Sequence, residues 1–525
     1  MLGRKTHRIV YIVLLALLGG CMVTSVWAAN LVWVLLAVNW LLEGRWREKW
    51  QMACESRLLQ AIVALCLLYA AGMLWTTDTA HGLNILQVKI PLLVVPLIVL
   101  TSKPVTGRAR RLVLAVYIAA VLVVSVIGLV RMLTIPDLPY RDAVPYISHI
   151  RFALNCCMVI YLFVAGCRLQ VVREKPKKLA TGMWTRRTLC VFVIIWLLTF
   201  LVLIHSYTAF AILAVVSLVT LLVYYRRWLL VALWLLLAGT AAVLVGREVK
   251  AYYRLVPQAT APLTARTANG RPYEHYRDGI IENGNYINNY LCIDELQAEW
   301  QHRSTVPYDS VGEDGYSIQP KLVRYLNALC LTKDSVGVNA LTDSQVRDIE
   351  RGIANPVYST GNPLRKMVYI LLFEREYYVH THAVLGFTML QRLELWHATL
   401  DVVRDNLWFG VGTGDVDGAL HARLADMDSC LADTQKSTHN QYLAFLAAFG
   451  IVGCVLLLVL FVRPFVGRRA SHFSPLMLAW LLTILISFLT EDTLDTLAGI
   501  LFCTFFLTFR PPSCTNTTPS TTESA

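Results

Sequence analysis

Apolar positions in this chain come in long blocks, with polar residues gathered in the gaps between them. The blocks fall near residues 9–29, 30–42, 58–75, 84–101, 112–133, 149–167, 188–205, 207–224, 228–246, 441–462, 474–488 and 492–509. A helix needs about 20 apolar residues to cross a bilayer core. The pattern therefore predicts about twelve transmembrane helices. The second block is short, so it either dips into the membrane or begins inside the first. The first block has Arg4, Lys5 and Arg8 before it and "SVWA" at its end, as a cleaved leader would. With so many further spans, an uncleaved first helix is the expectation.

The gap at 247–440 is too long for a simple connection. Within it, "PKLVRYLNALCL", "TDSQVRDIERGIA" and "MLQRLELWHATLDVVRDNLWFG" have helical periodicity, and Thr342 before Asp343 marks a helix start. In the last segment, Leu393, Trp396, Leu400 and Val403 are expected on one face. The expected organisation is an N-terminal transmembrane bundle at 1–246 with about nine spans, a helical domain at 247–440, about three spans at 441–510, and a disordered Pro/Ser/Thr-rich tail at 511–525.

Composition agrees: 56% of the 525 residues are hydrophobic, and the mean hydropathy is +0.53, as in a polytopic membrane protein. The charge orients it. The short gaps "EGRWREKW", "SKPVTGRARR", "CRLQVVREKPKKLATGMWTRR", "YYRRW" and "RPFVGRR" are basic, whereas "TTDTAHG", "IHSYTA" and "LTEDT" hold no Lys or Arg. The gap near 131–151 is mixed. Basic gaps mark the cytoplasmic side, so both termini are expected inside and the long segment outside. That segment holds 19 Lys+Arg against 24 Asp+Glu, within a chain of net charge +12. The basicity is thus a topology signal and excludes a nucleic-acid footprint.

Thirteen cysteines are present, mostly in or beside apolar blocks. Cys292, Cys330 and Cys430 lie outside the blocks; they allow one disulfide or three free thiols, and their spacing fits no zinc pattern. Three stretches could bear chemistry. Arg392, in "QRLELWHATL", offers a fixed fork of donors matched to phosphate, or pairs with Glu394 or Asp401. His439, in "STHNQYL", can move a proton near neutral pH, or simply begins a helix that Asn440 caps. "GVGTGDVDGAL" is similar to a phosphate-cradling loop, but no strand–helix unit surrounds it. Its Asp415 and Asp417 could chelate a metal, and a tight turn between helices is the plainer reading.

Taken together, Arg392 with Trp396, the Gly-x-Gly turn, His439-Asn440 and "FGIVG" in the following block resemble the O-antigen ligase family, which includes related O-antigen polymerases. The specific likeness covers 391–453; a looser one, in the order of spans and the long loop, covers about 1–510. "ENGNYINNYLCIDELQAEW" and "LVRYLNALCLTKDSVGVNALT" resemble the long-loop branch of the family in Bacteroidetes-like bacteria. The resemblance implies an all-α, GT-C-like membrane fold in the bacterial inner membrane, with the long loop periplasmic. It implies a metal-independent, inverting glycosyltransferase without a cofactor. The donor would be a glycan on undecaprenyl diphosphate, and the acceptor a sugar hydroxyl of the lipid A core. Arg392 would hold the diphosphate, His439 would deprotonate or position the acceptor hydroxyl, and Asn440 would orient it. Many members have Ser-Arg-Gly where this chain has Ser206-Tyr207, so an arginine is missing at Tyr207. Arg151, at the outer end of its block, could supply that charge, and Lys89 is either a lipid-phosphate contact or a snorkelling lysine. His149, Glu491 and Asp492 face the same side. A polymerase that joins lipid-linked repeat units is the alternative within the family. A transporter without bond chemistry is the alternative outside it; that would call for inverted repeats and mid-membrane charges.

Overall fold

The structure is a computed structural model that describes residues 3–135, 138–173, 180–225, 228–277, 279–313, 315–360, 362–381, 384, 388–434, 437–463 and 474–509. The tail at 511–525 lies outside the described residues, as do parts of the basic gaps at 167–187, 225–228 and 463–469. The chain is an all-α polytopic membrane protein. Among the described residues, seven helices are long and apolar enough to cross a membrane, and a bent pair makes an eighth if it is one span. Four shorter apolar helices occupy the remaining blocks. Two compact units contain all of this: residues 1–231 with 395–525, and residues 232–394.

The first unit begins with α1 (Arg4–Thr24) and α2 (Val26–Glu43). Hydropathy alone expected the division near residue 29. It falls at Ser25, whose extended backbone ends α1 and whose hydroxyl accepts from Ala28 N–H to cap α2. The basic gap that follows is itself helical: α3 (Trp46–Glu55) meets α4 (Arg57–Gly72) at 87°. Then come α5 (Thr79–Thr101), α6 (Gly107–Thr134), α7 (His149–Arg173), α8 (Ala180–Leu203) and α9 (Tyr207–Thr220). α1 packs on α2 and α6, and α7 packs on α8 and α9. Leu15 and Leu18 of α1, Val121 and Val124 of α6, and Phe152 and Val159 of α7 are fully buried between them.

The second unit contains most of α10 (Trp228–Tyr253), then α11 (Pro257–Thr260), α12 (Ile293–Arg303), α13 (Ile318–Ala328), α14 (Ser335–Asn339), α15 (Asp343–Glu350), α16 (Val357–Thr360) and α17 (Pro363–Thr381). A two-residue hairpin, Ile281–Glu282 with Asn285–Tyr286, is its sheet. The start read at Thr342 is a capping box: its hydroxyl takes the Gln345 N–H, and the Gln345 side chain takes the Thr342 N–H. Leu296, Trp300, Leu322, Leu326 and Ile349 form the core. Beside it, Glu282 is buried and satisfied by Arg324, whose Nε and Nη2 donate at 3.0 and 2.8 Å, and by Asn355 at 2.9 Å. Such a pair tolerates burial because each charge has several partners. Cys292 and Cys330 are free thiols.

Lys333 in this unit is fully buried, and its ammonium donates to Asn327 Oδ1 at 2.9 Å. Among the described residues no carboxylate pairs with it, and burial pushes its pKa down to about 7. The unfolded chain binds this proton up to a higher pH than the folded one does. Stability from this site is therefore fully present above the ordinary lysine range and is lost as pH falls toward 7. In the full-length protein, thiol labelling of buried Cys292 relative to exposed Cys330 should slow from pH 7 to pH 10, beyond the change seen in Lys333→Met. Equal pH dependence in both proteins would refute this.

The chain returns to the first unit through α18 (Thr388–Asp405), followed by α19 (Val416–Asp426), α20 (Gln441–Val462), α21 (Pro475–Ser487) and α22 (Leu497–Phe505). The buried residues of α18 include Leu395, Ala398, Thr399, Val402 and Val403, whereas Leu393 and Leu400 are 55% and 40% exposed. Of the face expected from periodicity, Val403 is buried and Trp396 half-buried, while Leu393 and Leu400 turn outward. α20 is broken at Gly450, where φ is 60° and ψ −169°.

Candidate functional site

The residues before α20 form a tight turn held from one side. Asp492, between α21 and α22, is buried and accepts three hydrogen bonds: from Ser437 Oγ at 2.7 Å, Thr438 Oγ1 at 2.8 Å and the His439 backbone N–H at 2.8 Å. His439 has φ 48°, in the left-handed region that costs most residues energy. The carboxylate thus fixes the backbone from which the half-buried His439 side chain projects. Asn440 is the N-cap of α20: its Oδ1 accepts from Tyr442 N–H at 3.1 Å and Leu443 N–H at 3.2 Å. Gln441 ties the same turn to the opposite loop. Its N–H donates to Phe488 O at 2.9 Å, and its Oε1 accepts from Leu494 N–H at 2.8 Å.

Further charges converge on the 488–496 loop. Arg151, in the first turn of α7, approaches Glu491 at 3.9 Å, and both are largely buried. Its Nε meets no hydrogen-bond acceptor among the described residues, nor does the Gln441 Nε2. Lys89 does not snorkel. It is buried halfway along α5, donates to Leu494 O at 2.6 Å, pairs with Asp495, and stands 4.9 Å from the Tyr69 ring centre. Its positive charge has protein partners, which is what a lysine at this depth requires. Asp495 and Tyr69 were not singled out by sequence reasoning. The available signal was "EDTLD", a cluster of carboxylates between two apolar blocks, facing the only lysine inside an apolar block.

The glycine-rich turn meets the break in α20. Val411 and Gly412 N–H donate to Ala447 O and Ala448 O at 2.8 and 3.0 Å, and Ile451 and Val452 N–H donate to Leu407 O and Trp408 O at 2.9 and 3.2 Å. Two carbonyls and two N–H groups flanking Gly450 thus find partners in 407–412, the kind of satisfaction a broken membrane helix requires. A Cβ on Gly410 would lie 2.4 Å from Ala447 O, so this glycine serves close backbone approach. Asp415 accepts from Thr77 and Asp78 N–H at 2.7 Å each, and Asp417 stands 3.3 Å from His81. Among the described residues no three His, Cys, Asp or Glu side chains could share a metal ion.

The other sequence-identified residues lie on α7, α9 and α18. Trp396 is half-buried on α18, and its indole N–H has no acceptor among the described residues. Tyr207 is 52% exposed at the start of α9. His149, two residues before Arg151, stacks edge-on with Tyr140 at 6.0 Å. Arg392 is half-buried near the start of α18, at the end of the 232–394 unit. The turn at 437–441 therefore brings together His439, Asn440, Asp492, Glu491 and Arg151: a titratable imidazole, a cation and two carboxylates at the end of a membrane helix. Such a set can bind a hydroxyl and take its proton.

Residues 367–458 match the family model described as O-Antigen ligase. The match contains Arg392, Trp396, the glycine-rich turn, His439 and the break at Gly450. No curated protein matches the chain.

Proposed function

The chain belongs, through residues 367–458, to the O-antigen ligase family of membrane glycosyltransferases, and from that premise we propose that it moves a glycan from undecaprenyl diphosphate to a sugar hydroxyl of the lipid A core. The reaction takes place at the periplasmic face of the bacterial inner membrane, with both termini cytoplasmic. The observation that supports this most is the His439 turn, locked by Asp492 beside the Arg151–Glu491 pair where α20 begins. In this position a proton-handling side chain can meet a lipid-linked substrate whose tail stays in the bilayer.

The chemistry follows from the donor. The acceptor hydroxyl loses its proton to His439 as its oxygen attacks the anomeric carbon. The bond from that carbon to the diphosphate oxygen breaks, and the configuration inverts. Negative charge grows on the departing diphosphate, where the Arg392 fork stabilises it. Arg151 contributes a second positive charge where the family's arginine is replaced by Tyr207. No nucleotide enters, since the diphosphate bond supplies the driving force.

Proteoliposomes containing the full-length protein, lipid-diphosphate glycan and rough-core acceptor should yield glycan on lipid A, with and without chelator. Absence of transfer under conditions where the protein remains folded would refute the reading. In cells, loss of the gene should leave long glycan on the carrier lipid. Single repeat units on the core would instead mark a polymerase.

The Asp492 carboxylate should matter through His439. In Asp492→Asn one acceptor oxygen and an amide donor face three donors, so the turn cannot keep all its bonds. Transfer should fall about ten-fold or more, as expected when a catalytic group shifts by an ångström or less. Unchanged turnover in Asp492→Asn would show that the carboxylate does not set the geometry.

A further inference from the structure

A cavity of about 580 Å³ opens among the ends of α1, α2, α3 and α5, on the side of the basic gaps and far along these helices from the 73–79 turn. Six cationic side chains line it: Arg4, Lys5, Arg8, Arg45, Lys49 and Lys103. Two carboxylates, Glu43 and Glu48, accompany them. The volume suits a small-molecule group. We propose that this cavity binds the phosphate of an anionic phospholipid from the leaflet on the basic side of the protein.

The cavity is built, not merely lined by mobile surface charges. Lys49 forms its floor at 3% exposure; its ammonium donates to Trp40 O at 2.5 Å, lies 3.2 Å from Glu43 and sits 4.5 Å from the Trp40 ring centre. One wall is the buried pair His7 and Asn39, joined at 2.9 Å through Nδ1 and Oδ1. Arg8 is fixed by the carbonyls of Lys103 and Pro104 at 2.6 and 2.8 Å, and these bonds leave its positive charge uncancelled. The two carboxylates are engaged by Arg45 and Lys49. Arg4 and Lys103 also act on Glu48, but six cations against two carboxylates leave the cavity with a surplus of positive charge.

Topology requires basic gaps on this side, but not convergence on a concave site with a buried lysine. The surroundings favour a lipid over a soluble anion. α3 meets α4 at 87° and exposes Trp46 and Trp50 at 54% and 73%, the arrangement of a helix lying in the membrane interface. Ile9, which lines the cavity, is 62% exposed and offers an apolar edge to an acyl chain. A basic pocket between helix ends is a known form of headgroup recognition.

The test uses full-length purified protein titrated with phosphatidylglycerol or phosphatidylcholine in mixed micelles, with the unfolding temperature as readout. Phosphatidylglycerol should raise it by about 4 °C at saturation. The variant Arg4→Gln/Lys5→Gln/Lys103→Gln should need about ten-fold more of this lipid, or more, for the same effect. The control Arg108→Gln/Arg111→Gln, two exposed arginines outside the cavity, should need less than about two-fold more. If the triple variant is unstable in phosphatidylcholine, Lys103→Gln alone should still weaken the response about three-fold. Equal losses in cavity and control variants, no loss in the cavity variant, or the same stabilisation by inorganic phosphate would each overturn the proposal.

Discussion

His439→Ala abolishes glycan transfer while leaving the protein in the membrane at its normal level. Three bonds that do not involve the imidazole hold the turn: the His439 N–H and the hydroxyls of Ser437 and Thr438 all donate to Asp492. Those three bonds survive the substitution, and α20 keeps its Asn440 cap. Alanine at φ 48° costs about 1 kcal/mol, which a folded membrane protein absorbs. The lost function is proton transfer from the acceptor hydroxyl, a contribution of about 10²–10⁴ in rate. His439→Gln should fail as well, since an amide can accept a hydrogen bond but does not take up the proton. Arg392→Lys should fail for a separate reason, a point charge replacing a two-pronged donor. The measurement is product formation in proteoliposomes alongside immunoblotted protein amount. Transfer by His439→Ala at the parental rate would remove this residue from the mechanism.

The blocks of apolar residues were legible because a bilayer demands them, and the helices appear where those blocks lie. Thr342 was legible because a capping box is local. What stayed hidden depends on contacts across the chain. Ser25 divides two helices inside one continuous apolar run, and only its extended backbone reveals the division. On α18, Val403 of the expected face is buried but Leu393 and Leu400 are not, a division set by contacts that periodicity does not contain. Lys89 stood in an apolar block without a visible reason until Asp495, about 400 residues later, supplied it. At the site, His439 and Arg151 could be named by residue type, but the carboxylate that positions the turn could not be ranked. Asp492 had no local signature beyond its place in an acidic gap, and its three donors come from a segment 53 to 55 residues earlier. The break at Gly450 was hidden for the opposite reason: "FGIVG" reads as an uninterrupted apolar helix.

That break carries the second large expected effect, loss of the folded protein in Gly450→Ala. The backbone at φ 60° and ψ −169° belongs to a region open essentially to glycine alone. A Cβ there would also lie 2.4 Å from both C and O of Trp408 and 2.5 Å from Phe409 N. These are backbone atoms, so no side-chain rotation relieves the overlap. To accommodate alanine, the 407–412 segment must withdraw, and its hydrogen bonds to Ala447, Ala448, Ile451 and Val452 must part. Strain of about 1–3 kcal/mol then adds to unsatisfied backbone groups within an apolar helix, each costing several kcal/mol in lipid. The whole is comparable to the 5–15 kcal/mol that typically separates folded from unfolded protein. Membrane-inserted Gly450→Ala should therefore be degraded, or unfold well below the parental temperature in detergent. Gly239→Ala, where an added Cβ meets nothing within 4 Å, should leave both amount and unfolding temperature unchanged. Normal accumulation and normal transfer by Gly450→Ala would show that α20 can run straight through this point, and that the glycine-rich turn is not pinned to the helix.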